Sequence, residues 1–145
     1  MNIAIVGATG NVGRKTLEVF DKKNFKFDNL YLVASEKSAG KKISFRDKEY
    51  VIENLETYDF SKADITFFAA GGTIAEKFAE KAAKHTIVID NSSFFRMDPD
   101  VPLIVPQVNA SEIKNMKKNI IANPNCSTAQ LVIALKPLHL SLIHI

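Results

Sequence analysis

The chain has 145 residues, which suits one domain with a sizeable hydrophobic core. Its apolar fraction of 46% and charged fraction of 24% are ordinary for a soluble globular protein, and its net charge of +3 is too small and too scattered to indicate a nucleic-acid partner. The sequence has one cysteine, no secretory signal and no apolar stretch near the roughly 20 residues of a membrane helix. We therefore predict a cytoplasmic protein without a membrane partner, a disulfide or a metal site.

Predicted strands and helices alternate along the chain. In chain order they are a strand at 3–6, a helix at 11–22, a strand at 30–34, a polar loop at 35–42, a hairpin of 43–45 and 49–52, a strand at 65–70, a helix at about 73–84, a strand at 87–89, a short helix at 111–116, a strand at 119–122 and a helix at 127–136. We expect Thr73 to cap the second long helix with Glu76 in a capping box, and Pro137 to end the last helix. This alternation indicates an α/β fold with a doubly wound, mainly parallel sheet and helices on both faces.

A glycine-rich segment joins the first predicted strand to the first helix. Three glycines spaced three apart supply a tight turn, a close backbone approach to a phosphate and close packing of the helix on the strand. The helix amino terminus offers unpaired N–H groups to a pyrophosphate. The predicted cofactor-binding residues of this loop are Gly7, Thr9, Gly10, Asn11, Val12 and Gly13. A purely structural turn is the alternative, but the position at the start of a βαβ unit favours nucleotide binding and a Rossmann-like fold.

The loop after the second predicted strand bears on the choice between NAD and NADP. An NAD site usually has an acidic residue here that holds the ribose 2′-OH. Ser35, Lys37 and Ser38 offer hydrogen-bond donors and positive charge instead, which favours the 2′-phosphate of NADP. Glu36 argues for NAD, and a solvated polar loop without this role is the alternative.

The single cysteine, Cys126, follows a predicted strand and stands at the first turn of the last predicted helix. A helix amino terminus favours the reactive thiolate form of a cysteine, and its N–H groups can stabilise an oxyanion on a carbonyl carbon that sulfur attacks. Asn125 adds an amide donor beside the thiol, and Pro124 stiffens the turn. Together with a nicotinamide site, this thiol suggests thioester chemistry with hydride transfer, whereas a buried small hydrophobic side chain is the alternative.

Arg96 is a second candidate, in a loop that follows the strand at 87–89. A guanidinium can grip a carboxylate or a phosphate through two parallel hydrogen bonds. Spacing alone leaves open a surface ion pair with Asp98 or Asp100.

Five segments carry recognisable motifs, at residues 7–13, 38–40, 90–93, 95–97 and 123–128. In these segments the chain resembles the aspartate-semialdehyde dehydrogenases, and the resemblance extends over residues 1–138. The related N-acetyl-glutamyl-phosphate reductases usually carry glycine before the cysteine and tyrosine after it. Asn125 and Ser127 speak against that alternative.

The resemblance implies a reaction in lysine, threonine and methionine biosynthesis. Such an enzyme converts β-aspartyl phosphate into aspartate semialdehyde with NADPH and releases phosphate. Cys126 would attack the acyl phosphate to form a thioester, and Arg96 matches the family arginine that contacts the phosphate group. Lys37 lies where many members carry an arginine near the 2′-phosphate. Gly71 and Gly72 match a loop close to the nicotinamide.

The chain also departs from the family pattern. Gln107 stands where members often carry glutamate. Members are more than twice as long, and their second domain supplies a catalytic histidine, an arginine for the substrate carboxylate and most of the dimer contact. We therefore expect residues 1–138 to form the NAD(P)-binding domain with the catalytic cysteine, with the second domain absent and a homodimer only in the full-length parent.

The last residues of the chain do not match the family pattern. Residues 139–145 are predicted to be a tail unrelated to the family, in which His139 and His144 are incidental. His85 is expected at a helix end, where it interacts with the helix dipole.

Three hypotheses follow for the chain. The first is that the full-length parent is an NADP-dependent acylating dehydrogenase. The second is a non-catalytic NADP-binding module. The third is an inactive fragment that exposes apolar surface and aggregates.

Overall fold

The computed structural model describes residues 1–142, and within them seven strands form one sheet. The strands are β1 (Asn2–Val6), β2 (Asn29–Ala34), β3 (Lys42–Phe45), β4 (Lys48–Asn54), β5 (Ile65–Phe68), β6 (Ile87–Asp90) and β7 (Ile120–Ala122). The α-helices are α1 (Asn11–Lys22), α2 (Gly72–Ala82), α3 (Pro106–Asn109) and α4 (Cys126–Leu142), with 3-10 helices at Glu36–Ser38, Phe60–Lys62 and Ala110–Asn115. The predicted alternation is confirmed, while His144 and the end of the predicted tail lie outside the described residues.

The strand order is β3-β4-β2-β1-β5-β6-β7, with β3 antiparallel to β4 and every other neighbouring pair parallel. The chain runs outward from β1 through β2 to β4, and then returns to the other side of β1 to build β5, β6 and β7. This reversal opens a crevice at the carboxyl ends of β1, β2 and β5, which is where sheets of this type bind ligands. The predicted α/β fold with a mainly parallel sheet is confirmed.

Adjacent residues of β1 show that the sheet is covered on both faces. Val6 belongs to the core cluster that packs against α2, together with Phe78. Ile5 belongs to the cluster on the opposite face, together with Leu17 and Phe20 of α1. Ile5 and Val6 are both fully buried, so β1 lies at the centre of the hydrophobic core.

The predicted hairpin exists and extends the main sheet. Its turn residues Arg46 and Asp47 have φ angles of 48° and 60°, the left-handed conformation that a two-residue hairpin turn requires. Arg46 donates hydrogen bonds to the carboxylate of Asp21 and to the carbonyl of Phe25, which ties the turn to the end of α1. Because β4 is longer than predicted and pairs with β2, the hairpin forms one edge of the sheet.

The predicted capping box at the start of α2 is wrong. Gly71 is the N-cap of this helix, and the N–H of Ala75 donates to its carbonyl. Thr73 therefore lies inside the first turn, too late to accept from the free N–H groups as a cap, and Glu76 has no capping partner. Gly71 has a φ of 88°, a conformation that threonine rarely adopts, and this explains why the helix starts at glycine.

The predicted bounds of two helices are wrong, and each of these helices contains a proline. Pro137 lies inside α4 instead of ending it. A proline removes the hydrogen bond to the carbonyl of residue 133, and its ring crowds that carbonyl. The strong helix formers around Pro137 nevertheless favour continuation of the helix. Pro106 begins α3 at the first helical position, where its fixed φ is favourable. The short helix predicted at 111–116 therefore starts earlier, with α3, and continues as a 3-10 helix.

Helix α4 has an apolar surface that faces solvent. Leu131, Leu138 and Leu142 are 57%, 60% and 69% exposed, and none of the helix residues is buried. Within residues 1–142 no helix combines the length and the apolarity needed to cross a membrane. The expected exposure of apolar surface is therefore present, and it is concentrated on α4.

We predict that α4 makes the chain self-associate, because exposed apolar patches drive association in water. Leu131→Lys with Leu138→Lys should shift the chain toward monomer in sedimentation velocity, and its melting temperature should change little because both leucines are exposed. Gln130→Lys with Ser141→Lys is the matched control, since it adds the same charge to α4 without removing apolar surface. Equal association of the leucine variant and the parent chain would contradict the prediction.

Candidate functional site

The glycine loop after β1 turns because Gly7 has no side chain. Its φ of 85° is left-handed, and a Cβ atom at this position would lie 2.8 Å from the carbonyl carbon of Ala69. The N–H of Gly7 donates to the carbonyl of Val33 at 2.8 Å, and the N–H of Gly10 donates to the carbonyl of Gly7 at 3.0 Å. The loop is thus fixed between the ends of β2 and β5.

Gly13 allows α1 to pack directly on this loop. A Cβ atom at Gly13 would lie 2.7 Å from the Cα of Ala8 and would overlap the carbonyl oxygen of Gly7. Gly10 is the N-cap of α1 and has no side chain to bind the first N–H groups of the helix. Those N–H groups remain available to an anion at the carboxyl end of β1, as a pyrophosphate site requires.

A cavity of about 350 Å³ lies beside the loop, at the carboxyl ends of β1, β2 and β5. It is lined by Val6, Gly7, Thr9, Gly10, Ala34, Ser35, Leu55, Ala69, Ala70 and Ile74. Four of the predicted cofactor residues therefore meet in one cavity. The prediction missed Ala69 and Ala70, which follow β5, and Ile74 of α2, although the two alanines before Gly71 and Gly72 mark the end of a buried strand.

The other predicted cofactor residues do not line this cavity. Lys37 and Ser38 stand on the 3-10 helix that follows Ser35, and Lys37 is exposed. No ion pair of Lys37 is found within residues 1–142. Asn11 and Val12 line a separate groove of about 590 Å³ along α1. The loop after β2 thus presents an unpaired cation next to the cavity.

Cys126 is the first residue of α4, and its side chain is exposed. The carbonyl of Asn125 accepts from the N–H of Ala129, and its side-chain oxygen accepts from the N–H of Ser127, both at 2.9 Å. Asn125 is therefore the N-cap of α4. The thiol donates to the same side-chain oxygen at 3.8 Å. The expected amide donor beside the thiol is thus corrected: capping turns the oxygen of Asn125 toward the sulfur.

Arg96 is held by backbone carbonyls and not by an ion pair. Its Nε donates to the carbonyl of Asn123 at 3.0 Å, and its Nη2 donates to the carbonyl of Asn91 at 3.2 Å. Asn123 lies three residues before the cysteine, so Arg96 is anchored to the loop that carries the thiol. The guanidinium and the thiol consequently belong to one assembly at the carboxyl edge of the sheet.

Asp98 and Asp100, the two aspartates near Arg96 in the sequence, pair with lysines. Asp98 accepts from Lys118 at 3.0 Å, and Asp100 accepts from Lys117 at 2.6 Å. The backbone N–H of Asp100 and the ammonium of Lys118 lower the pKa of the Asp98 carboxyl group. The alternative of a surface ion pair for Arg96 is therefore wrong.

The loop between β6 and Arg96 is shaped by a buried carboxylate. Asp90 is fully buried and accepts from the N–H of Ser92 at 3.0 Å and from its hydroxyl at 2.6 Å. The hydroxyl oxygen of Ser92 in turn accepts from the N–H of Phe94 at 3.1 Å. These bonds fold the loop back on the end of β6, so that the chain reaches Arg96 close to the sheet edge.

The described histidines lie away from the thiol. His85 stands between α2 and β6, at the amino ends of the strands. His139 is in α4, 13 residues after Cys126 and about 20 Å along the helix axis at 1.5 Å per residue. Within residues 1–142 there is also no group of three His, Cys, Asp or Glu side chains that could hold a metal ion.

The parallel strand order, the glycine loop and the cavity at the point of reversal define a dinucleotide-binding domain of the Rossmann type. A family model described as "Semialdehyde dehydrogenase, NAD binding domain" matches residues 2–116. The chain belongs to this family.

Relatives with this fold are aspartate-semialdehyde dehydrogenases. The one from Aquifex aeolicus is 54% identical over 140 residues, which cover 94% of this chain and 41% of the relative. A crystal structure of aspartate semialdehyde dehydrogenase II from Vibrio cholerae, complexed with ASA, superposes with a TM-score of 0.92 at 48% identity and covers 95% of this chain and 46% of that one. The crystal structure of the Candida albicans aspartate semialdehyde dehydrogenase with NADP superposes with a TM-score of 0.73 at 30% identity. The match covers 94% of this chain and 46% of that one. The chain spans about two fifths of the length of the curated relatives it matches.

We predict that Gly13→Ala destabilises the fold by about 1–3 kcal/mol, because the added methyl group would overlap backbone atoms of the glycine loop. Gly72→Ala is the matched control in the first turn of α2, where a Cβ atom would lie 4.0 Å from its nearest neighbour, the Cβ of Phe94. This control should be neutral or stabilising by less than about 1 kcal/mol. Urea denaturation of both variants measures the difference, and equal midpoints would refute the packing role of Gly13.

Proposed function

We propose that this chain is the nucleotide-binding and nucleophile-bearing part of an aspartate-semialdehyde dehydrogenase. The observation that carries the proposal is the position of Cys126 at the start of α4, on the sheet edge that also holds the cavity beside the glycine loop. The names of the relatives from Aquifex aeolicus and Vibrio cholerae support the choice of substrate, which is β-aspartyl phosphate in one direction and aspartate semialdehyde with phosphate in the other.

NADP is the proposed cofactor. The uncapped start of α1 suits its pyrophosphate, because Gly10 at the N-cap places no side chain over the first N–H groups of the helix. Lys37 and Ser38 follow Ser35 at the end of β2, where the ribose 2′-phosphate of a bound dinucleotide lies in such folds. The Candida albicans relative was crystallised with NADP, which supports the same choice.

The chemistry of this chain begins at the Cys126 thiolate. Its sulfur attacks the acyl carbon of β-aspartyl phosphate, a C–S bond forms, and the C–O bond to the leaving phosphate breaks. Arg96 binds the phosphate through the N–H groups that its two carbonyl partners leave free. The Asn125 side chain accepts from the N–H of Ser127, so the N–H groups of Cys126 and Thr128 are the ones that stabilise the oxyanion on the attacked carbon. NADPH, when bound, supplies the hydride that reduces the thioester to the aldehyde level. Release of the semialdehyde then regenerates the thiolate.

Proton transfer in this reaction requires a group other than the described histidines. His139 is about 20 Å from Cys126 along α4, and His85 lies at the opposite edge of the sheet. We therefore propose that residues 1–138 form the cofactor-binding domain and that turnover depends on a second domain. A chain without one binds NADP and can be acylated at the cysteine, but it does not turn over.

Lys37→Glu tests the cofactor assignment. We expect the affinity for NADP to fall roughly tenfold, or about 1.4 kcal/mol, because a charge-assisted bond to the 2′-phosphate is lost. Affinity for NAD should change little. Titration calorimetry with both nucleotides measures this, and Lys26→Glu, on the loop before β2, is the control for net charge. An equal loss for NAD and NADP would count against the 2′-phosphate role.

Cys126→Ala tests the nucleophile. Intact-mass measurement after incubation with β-aspartyl phosphate should show one acyl adduct on the chain and none on the variant, while NADP still binds to both. The same replacement at the equivalent cysteine of the full-length Aquifex aeolicus relative should abolish turnover. Retained turnover in that variant, or an adduct elsewhere on this chain, would disprove the proposed role.

A further inference from the structure

Two asparagine side chains form a bridge beneath Arg96. The Nδ2 of Asn123 donates to the Oδ1 of Asn91 at 2.9 Å. The carbonyls of the same two residues are the acceptors that hold the guanidinium. Each asparagine therefore contributes twice, with its side chain to the bridge and with its carbonyl to Arg96.

Both ends of the bridge are anchored to strand ends. The backbone N–H and the Nδ2 of Asn91 donate to the carbonyl of Phe68, the last residue of β5, at 3.0 and 3.3 Å. The N–H of Asn123 donates to the carbonyl of Asp90, the last residue of β6, at 2.8 Å. The bridge thus connects the ends of three neighbouring strands. One of its ends lies on the loop that leads to the thiol.

The geometry leaves part of the guanidinium free for an anion. Arg96 carries five N–H groups, and the two carbonyl bonds use one at Nε and one at Nη2. Within residues 1–142, Nη1 has no hydrogen-bond partner. An arginine side chain loses substantial rotamer freedom when it is fixed. Because the two carbonyls already hold Arg96 in place, the entropic cost of binding an anion there is smaller.

We propose that the Asn91–Asn123 bridge is a positioning device that holds Arg96 at a set distance from Cys126. This inference rests on the proposed function, because it takes Arg96 as the phosphate contact. Neither asparagine side chain touches the anion in this role. Each acts by fixing the direction of a carbonyl that orients the guanidinium. Breaking the bridge lets the two loops turn independently, and the anion site beside the thiol loosens while the fold persists.

The test measures how inorganic phosphate protects Cys126 from alkylation by iodoacetamide at constant pH. Phosphate bound to Arg96 next to the thiol should slow the alkylation, and the concentration that halves the rate reports its affinity. Asn91→Ala and Asn123→Ala should each raise that concentration about fivefold, the effect of losing one ordinary hydrogen bond. The double variant should raise it no further than Asn91→Ala does, because Asn91→Ala already removes the bridge that Asn123→Ala removes.

Asn119→Ala is the matched control. Its Nδ2 donates to the carbonyl of Ala83 at 3.0 Å, at the opposite edge of the sheet, so this variant loses a comparable bond away from the site. It should lower the melting temperature about as much as Asn123→Ala does, with phosphate protection unchanged. Unchanged protection in the bridge variants, or additive losses in the double variant, would overturn the positioning role. Both single variants break the bridge, but Asn91→Ala also loses the bond from its Nδ2 to the carbonyl of Phe68, so Asn123→Ala is the decisive variant and Asn91→Ala supports it.

Arg96→Ala separates this inference from the proposed function. If phosphate does not protect Cys126 in the parent chain, or protects it equally well in the Arg96→Ala variant, the proposed phosphate contact fails, and the positioning role fails with it. If Arg96→Ala abolishes protection while the bridge variants retain it, the phosphate contact stands and only the positioning role is rejected.

Discussion

The contact between α1 and the glycine loop is the constraint on which the rest of the structure depends. Gly7 and Gly13 leave no side chain between the end of β1 and the first turn of the helix, so backbone meets backbone. The helix therefore starts directly over the carboxyl end of the central strand, with its first N–H groups uncapped by any side chain. The position of the cavity and the burial of β1 on the face that α1 covers both follow from this contact.

Reversal of the strand order brings the second half of the site to the same edge. Strands β5, β6 and β7 are added on the far side of β1, parallel to it, so the loops after them emerge next to the cavity. The carbonyls of Asn91 and Asn123 then meet at Arg96, although these residues are 32 positions apart in the chain. Because both loops follow neighbouring parallel strands, short hydrogen bonds are enough to join the anion site to the loop that carries Cys126.

The first turn of helix α4, which carries the thiol, differs from the rest of the helix in what stabilises it. This turn is well defined, since Asn125 caps it with both its carbonyl and its side chain. The rest of the helix exposes leucines at successive turns, in contrast to α1 and α2, which bury one face against the sheet. The reactive end is thus ordered locally, by its cap and by the strand before it, and does not depend on packing along the helix.

The sequence by itself determined the α/β fold, the bounds of α1, the glycine loop and the start of a helix at Cys126, because each depends on local chemistry: glycine spacing, apolar periodicity and the residues around one turn. Two predictions from the sequence were wrong because another local signal was stronger. Helix α2 begins after the left-handed Gly71 and is not capped by Thr73. Helix α4 continues past Pro137, because strong helix formers surround that proline. Only the tertiary structure decided that Arg96 is bound by carbonyls and that the Asn125 oxygen faces the thiol. Such contacts join segments or orient groups in space, and neither follows from the order of residues along one chain.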